Sequence, residues 1–389
     1  MRLPVALLAA WLAIPPPVFA LPADVERLAE RGAEQLYNLE FSAALATFEE
    51  VRVAHPGYPA GPGLLAAATW WQARYRFEPP TDATTRRVER WLDEAERGSR
   101  KMIRSATPYD ACEGRFFLGG ALGVRAHWQL LRHNWVEAAI GAREAVKVLN
   151  QLSGCTPYGD EADFGLGLYQ YAAASLPAPL RWLSRYVVGG TATKDQALAR
   201  LERAAVRAHW TRHDAQATLV TLYDIFDGRP DRALAPAERL LRERPHAPVA
   251  HTLQAQALLF SHRWTETLAV ADRAIAWAGR SGSTFALEMS AYQYFRGMAL
   301  LGLKQPRDAE VAFTIAIGAG GRPPWITAAT VKRGAARDLL GDRAGALADY
   351  RHAQRLADPW HQARRAKPYL KRPFAWPDFE RELTPHVAD

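Results

Sequence analysis

The chain has 389 residues, of which 49% are hydrophobic and 23% are charged, and its formal net charge is +8 at pH 7. Arginine supplies most of the positive charge, since only seven of the 49 basic residues are lysine. So modest a surplus is not typical of nucleic-acid binding, and we expect no nucleic-acid partner. Anionic lipid headgroups and glycans remain open as partners.

The first 20 residues have the order of parts found in an export signal. Arg2 precedes an apolar run from Val5 to Ile14, and three prolines then lead to the small residues Val18 and Ala20. This order predicts a secretory signal peptide, 1–20, cleaved after Ala20, and hence a periplasmic or extracellular protein. The alternative, a membrane anchor, needs about 20 unbroken apolar residues. We expect no membrane span after the signal.

One spacing of small and aromatic residues recurs along the chain. A small residue is followed after 12 positions by a second, after 4 more by an aromatic ring, and after 3 more by another small or branched residue. The clear copies are Gly32, Ala44, Phe48 and Val51, with Pro56 after them; Gly297, Ala309, Phe313 and Ala316; and Gly334, Ala346, Tyr350 and Ala353. Weaker copies contain Trp135, Ala138, Ala142 and Ala145; Ala197, Leu201 and Ala204; Ala233 and Pro245; and Trp264, Ala271 and Ala274.

The spacing fits two antiparallel helices that cross so closely that only small side chains fit between them, with the ring filling the adjacent gap. A single hairpin of this kind leaves one apolar face uncovered, so hairpins are expected to stack. No alternating strand pattern competes with this interpretation.

These residues resemble the tetratricopeptide repeat, a 34-residue helix–turn–helix unit. The resemblance implies a stack of hairpins that binds peptides or other proteins. We therefore predict an all-α, right-handed superhelical solenoid of antiparallel hairpins over 21–360, followed by a basic tail or cap at 361–389. The tail has five basic residues between positions 364 and 372. It is either a solvated cap on the last repeat or a surface for anionic lipid or an acidic partner.

Cys112 and Cys155 are the only cysteines, and they lie at the start and the end of two consecutive helical runs. If the runs form one hairpin, the two ends lie side by side, which suggests a disulfide in an exported protein. Two unrelated buried thiols are the alternative.

The segment 158–190 is the most irregular part of the chain. Gly165 and Gly167 imply close approach, either by a neighbouring helix or by a ligand. Asp160, Glu161 and Asp163 begin the segment, so an envelope enzyme or glycan-processing factor with acidic groups here is an alternative function. The acids are also explained as favourable charges at a helix start.

No catalytic motif is present, so we expect a non-catalytic scaffold or adaptor that binds a protein or peptide partner in the cell envelope, without a cofactor. His209 and His213 have the spacing of a metal pair on one helix face, but lack further ligands in sequence, and no metal is expected. Most tryptophans are expected in the core, and the alternative is a set of platforms for glycans. The candidate partner contacts are Tyr169, Tyr171, Tyr292 and Tyr294.

Overall fold

The computed structural model describes residues 21–105, 107–177, 185–187, 189, 193–280 and 283–383. The predicted signal peptide lies outside this range. In the described residues the regular structure is helical, and no strand is present. No helix among them is both long and apolar enough to cross a lipid bilayer.

The helices follow one another through short connections. The first half of the chain contains α1 (Ala23–Tyr37), α2 (Phe41–Ala54), α3 (Ala60–Arg76), α4 (Asp82–Ile103), α5 (Pro108–Leu131), α6 (Trp135–Asn150), α7 (Gly159–Ala174) and α8 (Lys194–Arg207). The second half contains α9 (Arg212–Thr221), α10 (Pro230–Glu243), α11 (Pro248–Phe260), α12 (Trp264–Ala278), α13 (Met289–Gly302), α14 (Pro306–Gly318), α15 (Pro323–Leu339), α16 (Arg343–Ala353), α17 (Gln362–Arg365) and α18 (Trp376–Leu383). A π-helical turn, Leu222–Phe226, extends α9, and 3-10 turns occupy Thr284–Glu288 and Lys367–Leu370.

Consecutive helices from α1 to α16 pack on one another, and in the described residues they form eight hairpins. First helices of neighbouring hairpins also touch, as α3 touches α5 and α13 touches α15. Second helices mainly contact the helices before and after them. The stack therefore curves with the first helices on its inner side. This confirms the predicted all-α stack of helical hairpins, while the right-handed sense of the superhelix stays a prediction.

The predicted crossings are confirmed where the sequence pattern is clear. A Cβ atom built on Gly297 would lie 2.5 Å from Cε1 of Phe313, and one on Gly334 would lie 2.8 Å from Cε1 of Tyr350. Gly32 stands in the same relation to Phe48. Each ring is therefore held against the backbone of the preceding helix, and no side chain larger than hydrogen fits between them without a shift.

The turns within hairpins share a backbone feature that the side-chain pattern does not reveal. Leu39, His133, His262 and Lys304 each have a left-handed backbone conformation, with φ between 58° and 64°. Each lies in the connection between the two helices of one hairpin. The hairpin geometry is thus retained around α6 and α12, where the small-residue spacing is weak.

The last residues of the chain form a cap. Ala363, Tyr369, Phe374 and Phe379 are buried in the same core cluster as the helices of the final hairpins. Arg372 forms an ion pair with Asp378, at 2.6 Å. The described part of the predicted basic tail is therefore packed, and part of its charge is neutralised by its own acids.

Most tryptophans of the described residues are half-buried rather than fully enclosed. Trp128 and Trp325 are buried, whereas 64% of Trp135 is exposed. Trp135 begins α6, one of the helices with a weak copy of the pattern, so at this position the expectation of a core tryptophan is wrong.

The structure joins Cys112 and Cys155 in a disulfide. Cys112 lies in the first turns of α5, and Cys155 follows α6, so the bond links the two ends of one hairpin. The crosslink spans 43 positions of sequence. On the chain-entropy estimate, closing a loop of that size stabilises the fold by about 4 kcal/mol.

Replacing Gly297 with alanine should lower the midpoint of urea unfolding, because the new methyl group overlaps the ring of Phe313. Overpacking of this kind costs about 1–3 kcal/mol, against a gain of about 1 kcal/mol in helix propensity. Gly318→Ala is the matched control, because a Cβ there meets no atom within 4 Å. Equal midpoints for the two variants would contradict the close crossing. Adding Phe313→Leu to the Gly297→Ala variant should reduce the penalty.

Thiol titration of the unfolded, unreduced protein should find no reactive cysteine, and the same sample after reduction should show two. Finding two thiols before reduction would refute the disulfide. The double variant Cys112→Ser, Cys155→Ser should unfold at a lower denaturant concentration, with a loss of at most about 4 kcal/mol.

Candidate functional site: the inner surface of the stack

The curve of the stack is closed by contacts between distant repeats. The Tyr37 hydroxyl, at the end of α1, donates a hydrogen bond to Asp214 in α9, at 2.6 Å. The Tyr75 hydroxyl, at the end of α3, donates to Glu288 at 2.5 Å, across 213 positions of sequence. The ring of Phe77 lies edge-on to Trp360, with 5.8 Å between centroids. The first two hairpins therefore contact the fifth and later ones.

Glu288 is the most heavily bonded group of this closure. Its side chain is fully buried and accepts hydrogen bonds from Tyr75, from the Thr252 hydroxyl at 2.8 Å and from Arg322 at 2.8 Å. The Arg322 guanidinium also lies over the Tyr75 ring, 4.4 Å from its centroid. The three donors satisfy the oxygens of this buried carboxylate. It therefore holds the end of α3 against the start of α15.

A row of aromatic rings lies on the first helices of hairpins two to four. Trp70 stacks on His127 with 5.2 Å between centroids, and His127 stacks nearly parallel on Tyr169 at 5.9 Å. Burial, and then the positive charge of Arg74, lower the pKa of His127 to about 4. The imidazole is consequently neutral at pH 7. These three rings are called the aromatic row below.

Arg74 lies one turn after Trp70 on α3, and its guanidinium is 6.0 Å from the Trp70 ring. Its side chain is accessible to solvent, yet burial by surrounding protein, and then Arg322, lower its pKa. No carboxylate of the described residues forms an ion pair with it. Asp214 is likewise exposed, and desolvation raises its pKa. Both charged side chains thus lie close to surrounding protein while remaining accessible to solvent.

A shallow depression lies on the cap, lined by His361, Arg364, Arg365 and Pro368. Neither arginine side chain forms an ion pair with an acid in the described chain. Trp360, which precedes the depression, contacts both Phe77 and Trp325. The depression therefore adjoins the closure contacts, and its charge has the same sign as that of Arg74.

The four candidate tyrosines are all buried. Tyr169 belongs to the aromatic row, and its hydroxyl is 3.5 Å from the Gly123 carbonyl oxygen. Tyr292 is fully buried, and its hydroxyl donates to the Pro248 carbonyl at 2.9 Å. Tyr171 and Tyr294 are 5% and 8% exposed. As packed, Tyr292 is a core residue that a partner does not reach. Partner contact by the other three stays a prediction.

Two of the three acids of segment 158–190, Glu161 and Asp163, have structural partners. Glu161 is 3% exposed and accepts hydrogen bonds from the backbone N–H groups of His209, Trp210 and Thr211. Asp163 pairs with Arg200 at 2.6 Å. The alternative enzyme would require two free carboxylates that face each other across a cleft. Glu161 and Asp163 do not resemble such a pair.

The close approach predicted at the two glycines of this segment comes from neighbouring helices. A Cβ on Gly165 would lie 2.7 Å from Leu149 in α6, and one on Gly167 would lie 2.8 Å from Leu201 in α8. Residues 178–184, later in the segment, lie outside the described residues. The contacts with Leu149 and Leu201 explain the two glycines without a ligand.

His209 and His213 lie beside different acidic side chains. His213 lies 3.1 Å from Glu243. His209 faces α1, with Nε2 at 3.9 Å from Glu26 and 3.8 Å from Glu30. Sequence reasoning missed this juxtaposition because the partners are about 180 positions apart. It also missed Arg74, although the Trp70–Arg74 spacing of one helical turn is a signal of paired side chains.

No family model matches the sequence, and a search of curated proteins gave no match. Among solved structures, the chain is similar to the P58(IPK) TPR domain, at 15% identity and a TM-score of 0.27, over 90% of this chain and 98% of that one. It is also similar to a structure of the APC/C hetero-tetramer Cut9–Hcn1, at 15% identity and a TM-score of 0.31, over 87% and 67% of the two chains.

Proposed function

We propose that the protein is an exported, non-catalytic helical-repeat scaffold that binds a protein or peptide partner in the cell envelope, and that the partner contacts the inner surface of the stack. The observation that carries this proposal is the position of Arg74. It is accessible, lies beside the aromatic row and has no acidic partner in the described chain.

The electrostatics favour an acidic segment of the partner. Burial, and then the positive charge of Arg322, lower the pKa of Arg74, and Arg322 is already paired with Glu288. A carboxylate placed beside Arg74 would replace lost hydration with a charge-assisted hydrogen bond. The interaction is favourable because the surrounding protein weakens screening by solvent.

The scaffold holds its contacting groups in place before binding. Trp70, His127 and Tyr169 are packed on one another, and the closure contacts at Glu288 hold the end of α3. Little side-chain entropy remains to be lost on the scaffold's side, so most of the ordering cost falls on the partner. Preformed surfaces of this kind suit recognition without chemical conversion of the partner.

The cap offers a second, peripheral surface. Arg364, Lys367 and Lys371 are exposed, and they lie on the short helical turns that follow the last hairpin. We include contact with an anionic membrane surface through these residues in the proposal. A few basic residues contribute about 1 kcal/mol each near such a surface, so the contact is weak and reversible.

Arg74→Gln should reduce partner capture without unfolding the protein. Proteins crosslinked to the scaffold in intact cells would be identified by mass spectrometry and quantified for the wild type and the variant. Loss of a charge-assisted contact should reduce recovery of the specific partner about tenfold.

Arg86→Gln is the matched control, because Arg86 is exposed on α4 of the same hairpin. Its recovery should equal that of the wild type, and circular dichroism should show the same helix content in all three proteins. Equal recovery from the Arg74 and Arg86 variants would contradict a role for the inner surface. Recovery of a glycan in place of a protein would refute the proposed partner class.

The proposed export has its own test. The mature protein isolated from cells should begin at Leu21, because cleavage is expected after Ala20. Edman sequencing or intact mass of the isolated protein measures this directly. A mature chain that retains Met1 and is recovered from the cytoplasm would contradict export.

A further inference from the structure

The contact between α1 and the segment before α9 contains three convergent metal-ligating groups. Glu26 and Glu30 lie one helical turn apart on α1, and His209 lies in the connection between α8 and α9. One ligand atom from each of the three side chains lies within 4.8 Å of the others. This set is called the seam cluster below, because it lies where the first and fifth hairpins meet.

The distances within the seam cluster suit an ion between the groups better than direct bonding. His209 Nε2 is 3.9 Å from the nearest Glu26 oxygen and 3.8 Å from the nearest Glu30 oxygen. Both separations exceed the length of a hydrogen bond. Two ligand atoms of a tetrahedral zinc ion lie about 3.3–3.6 Å apart, so small rotations of the glutamate side chains would bring their oxygens to that separation.

The charge of the cluster also favours a cation. Two carboxylates one turn apart on a helix repel one another. In the part of the chain that the structure describes, no lysine or arginine forms an ion pair with Glu26 or Glu30. A divalent ion between the two carboxylates and the imidazole would neutralise this repulsion. The partial exposure of the three side chains gives an ion access from solvent.

The loop that carries His209 is fixed by a buried group behind it. Glu161 accepts hydrogen bonds from the backbone N–H groups of residues 209, 210 and 211, and from the Thr211 hydroxyl at 2.9 Å. The His209 ring packs edge-on against Trp210, with 4.8 Å between centroids. A metal ligand supported in this way loses little freedom on binding, which raises affinity.

We propose that the seam cluster is a zinc site of one imidazole and two carboxylates. Imidazole nitrogen and carboxylate oxygen are both ligands of Zn²⁺, and three protein ligands leave a coordination position for water. The long glutamate side chains are able to turn toward a common point. Glu161 is a positioning residue for this site and not a ligand.

Occupancy of the site would strengthen the closure of the stack. The same strip of α1 that carries Glu26 and Glu30 ends at Tyr37, which bonds Asp214 and packs on His213 with 5.7 Å between centroids. An ion bound only when α1 meets the fifth hairpin stabilises that arrangement over any more open one. The partner site at Arg74 is separate, so this inference does not depend on the proposed function.

The test is zinc binding by purified protein that carries no polyhistidine tag. Equilibrium dialysis with metal analysis should find one Zn²⁺ per chain in the wild type. Affinity should fall at least tenfold in the double variant Glu26→Gln, Glu30→Gln and in His209→Asn. The asparagine retains the backbone N–H that Glu161 binds, so the loop should keep its position.

Two matched controls separate the seam cluster from general surface binding. Glu34→Gln changes an exposed glutamate on the same helix, and His352→Asn changes an exposed histidine on α16. Both should bind zinc as the wild type does. Zinc should raise the melting temperature of the wild type and of both controls, but not of the seam variants.

A spectroscopic measurement tests the ligand set itself. Co²⁺ bound in place of zinc should give the visible absorption of a four-coordinate site in the wild type, and this absorption should be lost in the His209→Asn variant. Absence of zinc uptake, equal uptake by all variants, or tight binding of Ca²⁺ without Zn²⁺ would each overturn the assignment.

Discussion

The close approach of two helices at a glycine is the contact on which the rest of the structure depends. Gly297 and Gly334 leave room for the rings of Phe313 and Tyr350 to lie against the helix backbone. Each ring belongs to the second helix of the same hairpin, and it is fully buried. The interdigitation fixes how the two helices of a hairpin sit together, and repetition of that geometry generates the curve.

The curve brings together side chains that no local rule connects. Once the first helices line the inner side, the ends of α1 and α3 meet the starts of α9, α13 and α15. The contacts there are polar and specific, with Asp214 and Glu288 as the acceptors. A closed arrangement thus depends on few groups, and the stability of the closure is separable from that of the individual hairpins.

Two kinds of charged group follow from this arrangement. Glu161 accepts hydrogen bonds from backbone N–H groups and Asp163 pairs with arginine, and both serve to position neighbouring segments. Arg74 and the seam glutamates are different. Within the described ranges, Arg74 forms no ion pair with an acid, and Glu26 and Glu30 form none with a lysine or arginine. In a folded protein such groups are places where an oppositely charged ligand gains a charge-assisted contact.

The sequence by itself determined the architecture and the disulfide, because both depend on local periodicity. The spacing of Gly297 and Phe313 is a property of two adjacent helices, and Cys112 and Cys155 lie at the ends of one hairpin. The turns at His133 and His262 extend the same geometry to hairpins whose side chains no longer reveal it. Only the tertiary structure decided the inner surface and the seam. The contacts of Arg74 with its surroundings and of His209 with α1 join distant repeats, and their positions follow from the accumulated curvature of several hairpins rather than from any one spacing. Tyr292, one of the predicted partner contacts, is buried by nearer neighbours, since its ring packs with Ala274, Ala278 and Phe285.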